Sequence, residues 1–328
     1  MRILVTGGAG YIGAHVVRLL IERGDDVVVA DDLISGDVDR VPDVRLMKAD
    51  LASVDVIPRL AACLREERID AVLHFAARKQ VGESVERPAW YFQQNVGGLA
   101  NLLLAMEDAG VSRLVFSSSA AVYGMASGAA ITEGAATQPI NPYGSTKLVG
   151  EQLVQDAGRS FGLSAVSLRY FNVAGTGAPE LADRARLNLV PMVFERIDAG
   201  LPPLIFGDDF ETPDGTCVRD YVHVLDVARA HLAAVDSTVA GRGDHEVFNV
   251  GTGEGTSVRR MVEAILQAAG SSLVPEIVGR RAGDAGVVVA SAEKIGDRLG
   301  WQASHGLDDI VRSAWDAHVA IRAGHGMP

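Results

Sequence analysis

The sequence predicts an α/β protein: a doubly wound parallel sheet in the first half, followed by a smaller mixed α/β domain. Three observations carry that expectation. Short apolar runs alternate with helical patterns as far as about residue 172, the mark of a parallel α/β sheet. Those runs are almost continuous Val, Ile and Leu, which suits strands buried on both faces. Beyond Asn172 the alternation loosens, and Gly, Pro and Asp gather at 175–183 and 207–215.

Taken in order, Arg2–Thr6 reads as the first strand and Ala14–Arg23 as a helix. Asp26–Ala30 and Arg45–Ala49 are the next strands, followed by the helix Ile57–Glu67 and the strand Ala71–Phe75. A long helix, Tyr91–Ala109, leads to the strand Arg113–Ser117. The helix Tyr143–Ser160 and the strand Ser164–Tyr170 close the series. In the second half His223–Ala234 reads as a helix and Val247–Val250 as a strand. Ser257–Ala269 is a helix capped by Thr256 or Ser257.

The chain has 328 residues, 48% of them apolar, so a sizeable core can form. A net charge of −12 argues against a nucleic-acid or anionic-membrane partner, either of which calls for a basic face. The two cysteines, Cys63 and Cys217, are far apart, nothing has metal-ligand spacing, and no metal is expected. Met1–Val5 runs straight into glycines, which is no signal peptide, and no apolar run reaches the roughly 18 residues of a membrane span. A cytoplasmic, soluble protein is the expectation. Only four lysines occur, Lys48, Lys79, Lys147 and Lys294, against many arginines.

Gly7-Gly8-Ala9-Gly10-Tyr11-Ile12-Gly13 lies between the first strand and the first helix. Glycines there let the backbone approach a pyrophosphate, and the helix N-terminus offers N–H groups and positive potential. Asp31 ends the second strand, eighteen residues past Gly13. A carboxylate there accepts hydrogen bonds from an adenosine ribose and repels a 2′-phosphate. No arginine follows it and Asp32 adds negative charge, so NAD is expected rather than NADP, on a Rossmann-type sheet.

Tyr143 and Lys147 stand four residues apart on one helix face. A free phenol titrates at about pH 10. A nearby ammonium, with a nicotinamide cation behind it, favours the phenolate and brings it towards use as a base. Ser117, Ser118 and Ser119 end the preceding strand, and ligands of such sheets bind at the carboxyl ends of strands. Ser119 is therefore a candidate partner for a substrate hydroxyl beside the tyrosine.

The Gly-x-x-Gly-x-x-Gly loop with Ser and Tyr-x-x-x-Lys resembles the extended short-chain dehydrogenase/reductase family. Three further stretches are similar to its UDP-glucose 4-epimerases. They are His74-Phe75-Ala76-Ala77-Arg78-Lys79-Gln80-Val81-Gly82-Glu83-Ser84, Arg169-Tyr170-Phe171-Asn172, and the run from Phe206-Gly-Asp-Asp-Phe to Val-Arg219-Asp-Tyr221-Val-His223. The similarity runs from residue 1 to about residue 315.

The resemblance implies inversion at C4 of a UDP-hexose through a 4-keto form, with NAD tightly held. It implies that Gly7, Gly10, Tyr11, Ile12, Gly13, Asp31, Asp50 and Leu51 hold the adenosine half and the pyrophosphate. Phe75, Ala76, Ala77, Lys79, Asn95, Ser117, Tyr143, Lys147 and Phe171 would line the rest of the cofactor. Asn172, Asn188, Phe206, Arg219, Tyr221, Arg281, Asp284 and Val288 would hold the UDP-sugar, with Lys79, Ser119 and Tyr143 at the reacting end. The catalytic group would be Tyr143, Lys147 and Ser119. A cofactor domain would span 1–172 with a return near 219–240, and a substrate-binding domain 173–328. A homodimer through Tyr91–Ala109 and Tyr143–Ser160 is also implied.

Alternatives remain at this point. A 4-epimerase of UDP-uronic acids or of UDP-N-acetylhexosamines is close, and Val288 stands where many hexose-restricted epimerases carry Tyr. A 4,6-dehydratase is further off, because Ser119-Ala120-Ala121 lacks the acid and base that loss of water requires. A non-catalytic NAD-binding regulator would usually have lost the Tyr143/Lys147 pair. Ala121 replaces a frequent Thr, and Leu187 a frequent Asn.

Overall fold

The computed structural model describes residues 1–126, 128–185, 188–281 and 283–324, so Leu187 lies outside it. Seven parallel strands form the main sheet, in the order His245–Val250, Ser164–Tyr170, Arg113–Ser119, Ala71–His74, Arg2–Thr6, Asp26–Asp31, Arg45–Lys48. The chain reverses direction across the sheet beside Arg2–Thr6, which opens a crevice at the carboxyl ends of the strands on either side.

Strand periodicity sends alternate residues to opposite faces. Ile3, Val5, Leu73 and Val115 join one core, with Val16, Val17 and Leu20 of the helix Tyr11–Arg23 and Val227 and Val235 of the helix Val224–Ser237. Leu4, Val72, Leu114 and Phe116 join the other, against the helices Val56–Glu66, Gly98–Ala109 and Pro142–Phe161. Burying each such Leu, Val or Ile stabilises the fold by about 1.5–3 kcal/mol relative to exposure. Two later segments thus return to the main sheet: the helix Val224–Ser237, capped by His223, and the strand His245–Val250.

The remaining strands are short. Thr256–Ser257, Val218–Arg219, Val287–Ala290 and Gly128–Ile131 form one small sheet. Tyr221–His223 pairs with Asn172–Ala174, and Glu276–Val278 with Leu204–Phe206. Helices Leu189–Asp198, Val258–Ala268 and Leu307–Gly324 pack around a third core containing Phe194, Ile265 and Ile310. Ser257 is the cap of the middle one, its hydroxyl accepting from Arg260 N. The first and last of these helices were not announced by the loosened pattern.

Two differences from the predicted elements bear on the site. The strand ending at Ser117 runs on to Ser119, because Ser118 and Ser119 still pair with Arg169 and Tyr170. The long helix is interrupted: Pro88–Phe92 passes through a π-turn, Gln93–Gly97, into Gly98–Ala109. That bulge coincides with the Asn95 amide, which donates to the Arg78 carbonyl and to Thr146. Among the described residues no helix is long and apolar enough to cross a membrane, and no cluster of His, Cys, Asp or Glu is set to hold a metal ion.

Candidate active site

The glycine loop folds against the end of the neighbouring strand. Gly7 has φ +71, and a Cβ there would lie 2.6 Å from Ala76 N. A Cβ on Gly13 would lie 2.3 Å from the Gly7 carbonyl oxygen. Only glycine fits at either position. Gly10 caps the first helix and offers no side-chain hydrogen bond to the free N–H groups there. The cradle, its backbone donors and the nearby carboxylate fit a dinucleotide.

Asp31 is buried and accepts from Ala9 N at 3.0 Å and Leu33 N at 2.9 Å. Burial pushes its carboxyl up, while those two N–H groups pull it back down. The negative charge that Asp32 was expected to add is met by a partner from elsewhere in the chain. Arg78, from the loop after the strand Ala71–His74, forms an ion pair with Asp32. The NAD preference therefore rests on Asp31 alone.

Other expected cofactor residues divide by how they can act. The Tyr11 hydroxyl donates to the Gly175 carbonyl at 2.5 Å, so Tyr11 and Ile12 offer backbone rather than a phenol. Asp50 accepts from Ala52 N at 2.9 Å within its own turn. Leu51 and Phe171 are buried, and the half-buried Phe75 ring meets His231. Ala76 and Ala77 are half-buried at the crevice, and Lys79 is exposed with its Nζ 6.0 Å from the Tyr11 ring centroid. Asn95 is buried and brackets the Arg78 backbone, accepting from its N–H at 2.7 Å and donating to its carbonyl at 3.0 Å.

The catalytic helix starts cleanly. Pro142 occupies its first turn, and the Asn141 side chain accepts from Gly144 N at 2.8 Å. This sets Tyr143 at the crevice with Lys147 one turn behind. The Lys147 ammonium donates to the Ser117 carbonyl at 2.8 Å and lies 5.9 Å from the Tyr143 ring centroid. The Ser119 hydroxyl stands beside the Tyr143 phenol, and its Oγ accepts from Ala121 N at 3.2 Å. Burial pulls Lys147 down to about 8, and the Glu151 charge opposes that fall. Burial pushes the Tyr143 phenol above its ordinary value, and the neighbouring Ser119 hydroxyl only partly offsets this. Lys147 is not among the groups that lower the phenol, so the expectation that its ammonium alone makes Tyr143 acidic is not met here.

Sequence reasoning missed what lies behind the lysine. Glu151 is buried and forms a two-pronged pair with Arg169, Oε1–Nε 2.9 Å and Oε2–Nη2 2.6 Å. Ser118 donates to the same carboxylate at 2.5 Å, and Arg169 also donates to the Tyr123 hydroxyl at 2.8 Å. The available signal was spacing: Glu151 follows Lys147 by the same four residues that separate Lys147 from Tyr143.

The expected sugar-nucleotide residues come from several loops. Arg219 donates to the Ala285 carbonyl at 2.8 Å and meets Asp284 at 3.4 Å. Val288 lies opposite Arg219 in the paired strands and packs against the cluster of Val122, Tyr123 and Phe171. Arg281 is exposed, with its guanidinium 3.8 Å above the centre of the Phe206 ring. Asn172 is exposed and stands opposite the buried Tyr221 in register. Asn188 bonds Asp183 instead, and no described contact joins it to Arg219 or Arg281.

The family model for the NAD dependent epimerase/dehydratase family matches residues 3–251. A UDP-glucose 4-epimerase of Corynebacterium glutamicum is 44% identical over 319 residues, 96% of this chain and 95% of that protein. One from Azospirillum brasilense is 44% identical over 331 residues, 98% of this chain and 94% of that protein. The chain belongs to the UDP-glucose 4-epimerases of this family. Among solved epimerases, that of Stenotrophomonas maltophila, with bound NAD and formylated UDP-arabinopyranose, matches at TM-score 0.92 and 42% identity, covering 99% of both chains. A UDP-Glc/GlcNAc 4-epimerase of Campylobacter jejuni matches at TM-score 0.83 and 35% identity, covering 97% of this chain and 99% of that one. Epimerases of this kind thus share the whole architecture, the second half included.

Proposed function

We propose that the chain interconverts UDP-glucose and UDP-galactose by inverting C4, with NAD retained through each turnover. The observation that carries this reading is the meeting of Tyr143, Ser119 and Lys147 at the carboxyl ends of the central strands, beside the glycine cradle. NAD, when bound, supplies a reversible hydride acceptor and a positive charge. Tyr143, as phenolate, takes the O4 proton while Ser119 holds O4 and shares that proton. Lys147, anchored on the Ser117 carbonyl, keeps its charge beside the phenol and would hold the nicotinamide ribose. The sugar passes through a 4-keto form, turns in the pocket, and regains the proton from Tyr143 as C4 is reduced on its other face.

Arg219 and Arg281 can each offer a planar pair of donors to the diphosphate. The hexose keeps few fixed contacts, as its turning demands, and the UDP group supplies the anchoring free energy. The residues assigned above to cofactor and sugar belong to this proposal, as do the units 1–172 with a return near 219–240 and 173–328. A cytoplasmic homodimer through the helices 88–109 and 142–161 completes it; Phe92 and Leu104 are exposed apolar residues on the first of these. Sedimentation of the purified protein measures that assembly, and a monomer refutes it.

The deciding assay is incubation with a panel of UDP-sugars, without added NAD, followed by product identification. UDP-galactose from UDP-glucose is the expected result. We also expect UDP-N-acetylglucosamine to be turned over, because Val288 leaves room where a tyrosine would not. Complete inactivity on the acetylated sugar refutes that extension alone.

A further inference from the structure

We propose that Arg78 and Asp32 form a strap across the cofactor crevice that slows the release of NAD, making Arg78 a positioning residue for the cofactor. This rests on the NAD-binding reading above and deepens it.

The sheet order sets the geometry. The strand Arg2–Thr6, which leads into the glycine loop, lies between Ala71–His74 and Asp26–Asp31. Asp32 is the first residue past one neighbour, and Arg78 lies four residues past the other. Their ion pair therefore spans the carboxyl end of the strand on which a dinucleotide rests.

Both ends of the bridge are fixed. Asp32 also accepts from Ile34 N at 2.9 Å, which ties it to its own turn. Arg78 donates to Gln94 Oε1 from Nε at 3.1 Å and from Nη2 at 3.0 Å. Asn95 grips its backbone on both sides, then reaches Thr146 at 3.0 Å on the helix between Tyr143 and Lys147. The bridge thus runs from the adenosine end of the crevice to the catalytic helix. The two charged side chains are only 13% and 21% exposed, so the pair is shielded enough to matter more than a surface ion pair. A flat, forked guanidinium is required to reach Asp32 and Gln94 together.

The test measures the cofactor, with no sugar present. Holoenzyme purified with its resident NAD is mixed with excess labelled NAD, and the exchange rate is followed. Arg78→Ala and Asp32→Asn are each expected to exchange about tenfold faster or more, the size of one lost charge-assisted hydrogen bond. Asp32→Asn keeps an oxygen for Ile34 N, so its fold is undisturbed. Arg78→Lys is expected to fall between wild type and Arg78→Ala. The double variant should exchange no faster than the quicker single one, since one bridge can be broken only once. Arg87→Ala is the control: Arg87 stacks on Trp90 at 3.9 Å, the ring that Arg78 also approaches, but does not touch Asp32. Wild-type exchange rates in both single variants, or additive effects in the double, overturn the strap. Wild-type protein that holds no NAD overturns the cofactor reading instead.

Discussion

The two sides of the crevice are built differently. On the cofactor side the fixed parts around the glycine loop are mostly backbone: glycines with no room for a Cβ, strand-end N–H groups, and a carboxylate already tied to Ala9 and Leu33. On the sugar-nucleotide side the fixed parts are side chains engaged with one another. Arg219 holds Asp284, Arg281 lies on Phe206, and Asn188 holds Asp183. The first side recognises by shape and is complete before a ligand arrives. On the function proposed above, the second would have to exchange partners as it binds, which suits a substrate that enters, turns and leaves.

Between them stands Tyr143, and the largest predicted effect belongs there. Tyr143→Phe removes the base and leaves the glycine cradle untouched. Turnover should fall by at least about 10²–10⁴-fold, the usual contribution of a positioned acid or base. NAD content, read from the released nucleotide, should match wild type. Near-normal turnover would show that another group moves the O4 proton.

The next effect breaks the cofactor side. In Gly13→Ala the new methyl meets the Gly7 carbonyl at 2.3 Å, with Gly8 Cα at 2.9 Å. Backbone cannot rotate aside as a flexible side chain can, so the loop must open. Purified Gly13→Ala should carry little NAD and melt at a lower temperature. Full NAD occupancy would mean that this side is more pliant than its packing indicates.

A milder effect is expected across the crevice. Arg281 is exposed and no described acid pairs with it, so Arg281→Ala disturbs little of the folded protein. It should raise KM for UDP-glucose by about tenfold to a hundredfold, as loss of a charged hydrogen-bond partner does. NAD content should not change. A fall in kcat with KM unaltered would move Arg281 from anchoring the nucleotide to assisting the reaction.

The same contrast decides what the sequence could reveal. Features made by contiguous residues were legible: the glycine loop, Asp31 at a strand end, and Tyr143 with Lys147 on one helix turn. Their chemistry follows from spacing along a single element. Features made by pairing across the fold were not. Asp32 meets Arg78 over 46 residues, and Arg219 meets Asp284 over 65. Nothing local fixes such partners, so the cation that meets Asp32 could not be named from the sequence. The π-turn at 93–97 escaped for a related reason: the bulge accompanies Asn95 bonds to Arg78 and Thr146, not an interruption of the apolar pattern.

The smallest predicted effect lies at the seam between the two sides, where one such missed contact bears on catalysis. Lys147 faces Tyr143 and Glu151 on its own helix, the neutral His74 on the neighbouring strand, and Arg169 beyond Glu151. Burial lowers its pKa to about 8, and the Glu151 carboxylate keeps it from falling further. A lysine charged below its pKa and neutral above it can support the phenolate only on the acid side of that value. Removing the Glu151 charge therefore lowers the upper pH limit of activity. In Glu151→Gln the alkaline limb of the kcat/KM profile should move to lower pH, with some loss of stability because Arg169 loses its charged partner. An alkaline limb that stays in place while stability falls would make Glu151 a structural partner of Arg169 only.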